Sequence, residues 1–334
     1  MSEVRPTDHR GKLDVSIVVI TCDRADMLRD TLLSLVAQET GGRFCYEIVV
    51  VDNGSTDHTK RTVEEIAARA NVPIRFVSEP RRGQVYARNR GVAEACGEWI
   101  ASFDDDQLAD PAWLKELVAL AHDTQSRSVG GVMRLKLPEG CHRRLTAFCR
   151  RVLGESVAWQ TRRRYTRKQG PGSGNHMLHR SVFEEVGIYD ESYNLRGYDT
   201  DLYRRLSAAG IDSWYSPTAV AYHVTPPYRL TDQYLRDTSL CNGWCFARRD
   251  RERFGALISP LILVARIGQM VGVHLPRLGV AKLLGDAEQA LALRCRLWSA
   301  QGYMACAMHL MSPTWFAEPR FAVQATTSGK VTTA

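Results

Sequence analysis

The 334 residues lack the usual signatures of nucleotide-binding sheets. No G-x-G-x-x-G follows a β-branched run, which argues against a dinucleotide dehydrogenase. No G-x-x-x-x-G-K-[ST] is present either, which argues against a P-loop NTPase. The nine cysteines contain no C-x-x-C pair. Cys241 and Cys245 are separated by three residues, and no His/Cys pair completes a zinc set. Scattered thiols in odd number fit a reducing compartment better than a disulfide framework. The first twelve residues are polar and carry no apolar stretch of a signal peptide, so the functional part is expected on the cytoplasmic side. Aromatics make up 8% of the chain and do not alternate with its basic residues, which argues against nucleic acid as a partner.

What remains is an ordinary globular composition with an excess of positive charge. Hydrophobic residues make up 44% and the net charge is +7, which favours anionic partners such as nucleotide diphosphates or acidic lipids. Val15–Thr21 (VSIVVIT) and Tyr46–Asp52 (YEIVVVD) are short β-branched runs readable as buried strands. Ile74–Ser78 and 98–103 complete a set of four. Helical spacing fills the intervals at 24–38, 59–70 and 84–96. Strands alternating with helices predict an α/β fold, a mixed, mostly parallel sheet with helices on both faces, followed by a C-terminal apolar helical segment.

Ligands of such sheets bind beyond the carboxyl ends of the strands. There the chain places Thr21, Asp23 and Arg24, then Asp52, Asn53, Gly54 and Ser55, then Glu79, Arg81 and Arg82, and finally Asp104, Asp105 and Asp106. Three adjacent carboxylates repel one another unless a cation or donor intervenes. A divalent cation of the hard type, Mg2+ or Mn2+, takes oxygen ligands and needs only one or two carboxylates when phosphates supply the rest. Such an ion stabilises a leaving diphosphate as a Lewis acid. The cluster after the fourth strand therefore predicts a metal-assisted site for a nucleotide diphosphate.

Further along, residues 143–168 are basic: Arg143, Arg144, Arg150, Arg151, Arg162, Arg163, Arg164, Arg167 and Lys168 stand against Glu155. They read either as a solvated surface or as a face for an anionic acceptor or membrane. A Gly-rich loop at 170–175 follows, then a helix over 198–209 with Asp199 in its first turn, then short strands at 214–216 and 219–223. Residues 255–276 are uncharged apart from Arg266, with Pro260 expected to kink them. A transmembrane span, an in-plane or re-entrant helix and a buried soluble helix all remain open. Residues 301–311, a second uncharged stretch, fit any of the three. Domain bounds are expected at 1–12 (polar tail), 13–235 (sheet domain), 236–312 (helical segment) and 313–334 (flexible tail).

Several segments together resemble the family 2 glycosyltransferases of the GT-A (Rossmann-like) fold. They are VSIVVITCDR at 15–24, VVVDNGSTD at 49–57, Gly83 with ARNRG at 87–91, GEWIASFDDD at 97–106, GNHM at 174–177, FEEVGIYDE at 183–191 and GYDTDL at 197–202. The resemblance spans residues 13 to 225, in the family's order and spacing. It implies an inverting transfer of sugar from a nucleotide-diphosphate sugar to a hydroxyl. It implies that Thr21 and Asp23 line the base and ribose pocket, that Asp52 bonds the base, typically uracil, and that Arg88 orders the diphosphate side. Asp104 would contact ribose or donor sugar, Asp106 would bind Mn2+ or Mg2+, and Asp199 would be the base that deprotonates the acceptor. His223 would be a further metal or phosphate ligand. Arg24, Arg82 and Asp105 join the donor-binding candidates, and Asn175 and Tyr198 the acceptor side. Tyr198 departs from the family, which usually has Glu before the base. Implied partners are a nucleotide sugar, a glycan or lipid-linked acceptor and a membrane surface at the inner face. A nucleotidyltransferase would show a Gly-rich basic signature near the first strand, absent here. A non-catalytic sugar-nucleotide-binding protein would have lost the base or the metal ligand. His176 and His179 are spaced as helix neighbours but sit in a strand-like run, and no zinc is expected there.

Overall fold

The computed structural model describes residues 14–166, 169–193 and 197–316. The polar stretch 1–12, Arg167, Lys168 and the tail from 317 onward lie outside the described residues. The chain divides into two units.

The first unit contains residues 14–134 and 156–224. Its elements begin β1 (Val15–Thr21), α1 (Ala25–Val36), β2 (Tyr46–Asp52), α2 (Thr59–Ala67), β3 (Ile74–Ser78), α3 (Gln84–Glu94) and β4 (Trp99–Asp104). Strands β3-β2-β1-β4 lie side by side and parallel. Every residue of β1 and β2 is buried, because helices cover both faces and side chains alternate between them. Ile17, Val19, Ile48 and Val50 meet Leu28, Leu32 and Leu35 of α1 and Val63 of α2. Val18, Ile20, Val49 and Val51 meet Val85 and Val92 of α3.

The chain continues through β5 (Gln107–Ala109), α4 (Trp113–Thr124) and β6 (Ser128–Lys136) to α5 (Ala147–Val152), which belongs to the second unit. Then come β7 (Arg163–Arg164), β8 (Asn175–His179), α6 (Arg180–Val186), α7 (Tyr198–Ala208) and β9 (Ser213–Val224). The sheet order beyond β4 is β8-β6-β9-β5, with β7 on β9. The pairs β4–β8, β6–β8, β5–β9 and β7–β9 are antiparallel. The sheet is thus mixed, as expected from the sequence, with a parallel half β3-β2-β1-β4 and antiparallel pairs beyond β4.

The two short strands expected at 214–216 and 219–223 are one strand, β9. Pro217 interrupts the apolar pattern without ending the strand. Ser216 Oγ accepts the N–H groups of Thr218 and Ala219 at 3.3 Å each, so the local loss of ladder bonds is compensated.

The second unit contains residues 135–155 and 225–316 among those described. It is built from α5, α8 (Asp232–Gln269), a π-helical turn Met270–His274, α9 (Leu275–Leu283) and α10 (Ala287–Met311). The backbones of α8 and α10 nearly touch, since a Cβ on Gly302 would lie 2.0 Å from Leu240 O and one on Gly243 1.9 Å from Ser299 O. Around that contact Trp244, Ala247, Tyr303 and Cys306 form a small core.

The kink expected at Pro260 lies instead at Gly255, whose φ of 74° and ψ of −178° break α8 in two. Glycine adopts that backbone freely. Pro260 then falls near the start of the second half, where few helical N–H bonds are lost, and Ser259 Oγ donates to Gly255 O at 2.6 Å. The stretch Asp232–Leu283 is long and apolar enough to cross a membrane: its best window has a mean hydropathy of 1.8 and none of it is buried. The buried side chains of α8, Leu235, Trp244 and Ala247 among them, all lie before the break at Gly255.

Candidate active site

The acid cluster sits where β4 ends and the chain turns into β5. Thr31 Oγ1, from α1, reaches the carbonyls of Asp105 (2.9 Å) and Gln107 (2.8 Å). On the other side Val224 N donates to Asp106 O at 2.9 Å. The turn is thus pinned by a helix and by the end of β9, with Gln107 paired opposite His223. Thr31 was invisible as a site residue in the sequence reading. Its signal was a polar residue on the leucine face of α1, where a buried hydroxyl must find an acceptor.

The three carboxylates have different surroundings. Asp104 accepts from Arg88 Nη2 at 2.5 Å and from Gln107 Nε2 at 3.0 Å. Asp105 is buried and accepts from Thr21 Oγ1 at 2.8 Å and Arg24 Nη1 at 2.9 Å. Burial pushes the Asp105 carboxyl up to about 6, against the pull of Arg24 and with the push of Asp106. Asp106, also buried, lies 3.3 Å from Arg24 Nη1 and 3.4 Å from His223 Nε2. One guanidinium therefore bridges two carboxylates, and a carboxylate oxygen and an imidazole nitrogen converge. Among the described residues no group of three or more His, Cys, Asp or Glu side chains could hold a metal unaided.

The ends of β1, β2 and β3 are tied together beside this turn. Asp23 has a positive φ of 53°, a conformation Asp tolerates better than most. It is held there by Thr56, whose N–H and Oγ1 donate to Asp23 Oδ1 at 2.7 and 3.0 Å, and by its own N–H to Ser55 Oγ at 2.8 Å. Asp52 is buried and accepts from Ser55 N at 3.1 Å. Asn53 donates to the carbonyls of Glu79 and Arg81 and accepts from Gly83 N. The loops after β2 and β3 are thus one unit. Arg82 is exposed and donates to the Cys22 sulfur. Burial raises the Cys22 thiol pKa against the opposing pull of Arg82.

Arg88 on α3 is 2% exposed. Burial opposes its charge, but Tyr198 and Asp104 outweigh that penalty and keep it protonated. Its Nε donates to Tyr198 Oη at 3.3 Å, and Tyr198 Oη donates to Gln84 Oε1 at 3.0 Å. The guanidinium therefore joins Asp104 to the first residue of α7. Asp199 follows, partly exposed in the first turn of α7, with Oδ1 accepting from Thr200 N at 2.7 Å. Asp201 is buried and engaged by Arg204 (2.6 Å) and Arg205 (2.8 Å), which makes it structural.

Asn175, expected on the acceptor side, is 3% exposed. Its Oδ1 accepts from Trp113 Nε1 at 2.8 Å, and its Nδ2 donates to Val132 O and Ala219 O. Both amide protons are used inside the sheet, so this side chain has none left for an acceptor. His176 lies on β8, buried, with Nε2 2.9 Å from Ser128 Oγ. Burial pulls its pKa down to about 3. It is a neutral core histidine. Four of the nine basic residues have acidic partners among the described residues: Arg143 meets Asp232, Arg150 meets Glu155, Arg162 meets Asp123 and Arg164 meets Asp212. That favours the solvated-surface reading.

Residues 16–187 match the model of glycosyl transferase family 2. The glycosyltransferase AglE of Haloferax volcanii is 26% identical over 248 residues, which cover 73% of this chain and 78% of that protein. Of two longer relatives the match covers 24% and 16%. The mannosyltransferase PcManGT from Pyrobaculum calidifontis, solved with GDP-Man and Mn2+, superposes with a TM-score of 0.58 at 20% identity, covering 91% of this chain and 88% of that one. S. aureus TarS 1-349, solved with UDP, superposes with a TM-score of 0.51 at 16% identity, covering 90% and 92%. At such identities the two structures speak for the fold alone, and that fold is GT-A.

Proposed function

This chain belongs to glycosyl transferase family 2, and from that premise we propose that it is an inverting enzyme. It moves a sugar from a nucleotide-diphosphate sugar, UDP-linked by preference, to a hydroxyl of a glycan or lipid-linked acceptor. The observation that carries this reading is the acid turn after β4, where Asp106 and His223 converge at 3.4 Å beside Arg24.

A carboxylate oxygen and an imidazole nitrogen suit Mn2+, and Mg2+ through the carboxylate. Two protein donors suffice where a diphosphate supplies more oxygens, so Asp106 and His223 would hold the ion. When bound, it neutralises charge on the leaving diphosphate. The chain's own residues do the remaining work. Arg24 moves its charge between Asp106 and the diphosphate, while Asp105 keeps it tethered. Asp104, fixed by Arg88, receives the ribose or donor sugar. Asp52 and the Asp23–Thr56 clasp bound the base pocket, with Thr21 bracing Asp105 from below, and Arg82 borders the phosphates.

Asp199 takes the proton from the acceptor hydroxyl, so that the oxygen attacks the anomeric carbon from the face opposite the leaving group. The first turn of α7 supports its ionised form through free N–H groups and the helix dipole. Tyr198, in the place the family usually gives to Glu, removes one carboxylate from the acceptor side. We take residues 13–235 as the catalytic domain and 236–312 as a helical segment that brings the enzyme to the inner face of the membrane, where lipid-linked acceptors reside.

A thermal-shift panel of UDP-, GDP-, dTDP- and CMP-sugars, with and without Mn2+, tests the donor. A ligand that binds only the folded state at 100-fold its Kd adds about 2.7 kcal/mol. The expected outcome is a shift with UDP-sugars that requires the metal. No shift with any nucleotide sugar contradicts the proposal.

A further inference from the structure

In the second unit, one helix turns apolar residues outward. Beyond Gly255, residues 256–284 run helically through the second half of α8, the π-helical turn and α9. Their less exposed positions recur at Ile262, Leu263, Met270, Leu278 and Ala281, the stripe covered by α10. The opposite face carries Leu257 (90% exposed), Leu261 (69%), Val264, Val271, Leu275 and Leu283 (88%). A soluble surface seldom shows so long an apolar row without a partner.

Two further features say what covers it. Arg248, Arg249, Arg251 and Arg253 immediately precede the break at Gly255. Arg249 stacks on Phe246 at 4.9 Å and Arg253 on Phe254 at 5.1 Å. At the same end Leu310 and Met311 share a recess with Arg251, Ser259 and Pro260, and Trp315 follows, 84% exposed. Arginine and aromatic side chains beside an apolar row match the layering of a bilayer interface, with anionic headgroups over hydrocarbon. A second copy of the chain would bring the same cationic rim, whereas anionic headgroups complement it.

Orientation follows from Arg266 and Asp250. Midway along the helix, Arg266 lies 3.8 Å from Asp250 and over the Tyr303 ring at 5.2 Å. A helix crossing the hydrocarbon layer, roughly 30 Å thick, would submerge that pair. A helix lying in the interface keeps it on the protein side. We infer that residues 256–284 dock in plane on an anionic lipid surface, with the Leu257–Leu261–Val264 row in the acyl boundary and the arginines at the headgroups. This sharpens the membrane attachment proposed above, and it is read by lipid binding, so it stands or falls separately from glycosyl transfer.

The test is flotation of the full chain with preformed vesicles of phosphatidylcholine, alone or mixed with phosphatidylglycerol, with Trp emission recorded in parallel. The wild type is expected to float with the anionic vesicles and to shift its emission to the blue. Leu257→Asp with Leu261→Asp should cut the bound fraction at least about tenfold. Arg251→Gln and Arg253→Gln should each weaken binding about fivefold, and added salt should mimic them. Leu257, Leu261 and Arg253 are exposed and Arg251 is half-buried, and circular dichroism and the melting midpoint should match the wild type. The arginine variants and the salt series keep the test decisive even where the aspartates perturb folding. A wild type that ignores anionic vesicles, or a folded aspartate variant that floats as well as wild type, overturns the inference. So does light scattering that finds a wild-type dimer dissociated by the same substitutions.

Discussion

At the carboxyl edge of the parallel sheet, charged side chains are buried against one another; on the helix after Gly255, leucines and valines face outward. Asp105, Asp106 and Arg88 are each at most 5% exposed, while Leu257 and Leu283 are almost fully so. Both regions break the expectation that polar groups lie outside and apolar groups inside. The first break is stabilised from within, since each buried charge has a named partner. The second has no cover inside its own unit. A buried polar network marks a place where the protein holds chemistry in position, and an exposed apolar row marks a place where something else completes the surface.

The comparison breaks most sharply at Asp199. If the sheet edge is a catalytic site, Asp199→Asn should lower the turnover number about 10²- to 10⁴-fold with donor binding unchanged. Steady-state release of nucleotide diphosphate measures it, and normal turnover would remove Asp199 from the base role. Next in size is Arg88→Ala. Arg88 is buried, but the Asp104 side chain it would leave behind is 32% exposed, so the cost should fall below the about 3–5 kcal/mol of a fully buried pair, and the urea midpoint should still drop measurably. An unchanged midpoint would mean that Arg88 does not join Asp104 to α7.

A pH effect of intermediate size belongs to His176. Its folded pKa is pulled from 6.5 to about 3 by burial. The unfolded chain therefore binds the proton first. The stability from its neutral burial is present above 6.5 and is lost as pH falls toward 3, by at most ~1.4 kcal/mol per pH unit. His176→Gln should flatten that acid limb in denaturation curves recorded across the window. The smallest effect is expected on the helix: Leu261→Asp should change stability by no more than about 0.5 kcal/mol. A large loss would show that this face is covered by protein.

The parallel half of the sheet was legible because β1 and β2 are buried on both faces and read as unbroken apolar runs. The strand ends were legible for the same reason, since polar residues follow each run directly. The antiparallel half was not. A short buried stretch such as Asn175–His179 (NHMLH) carries no mark of its direction or neighbour, and the segments at 113–124 and 128–136 drew no assignment. The acid cluster was visible, but its division of partners was not. Arg88 and Tyr198 are 110 positions apart, and the tether of Asp105 to Thr21 and Arg24 depends on how two loops meet. Pro260 drew the kink in the sequence because proline lacks an N–H, yet the backbone gives way at Gly255, where a positive φ is free.

The central claim, a metal-assisted nucleotide-sugar site on the acid turn, is tested most directly by calorimetric titration. The UDP-sugar is titrated into wild type and Asp106→Ala, each with Mn2+ and with chelator. The account predicts wild-type binding weakened at least about tenfold, or ~1.4 kcal/mol, by chelator, and a variant whose weak binding is the same in both buffers. Equal affinity of wild type with and without metal, or a variant that keeps the full metal dependence, would contradict it.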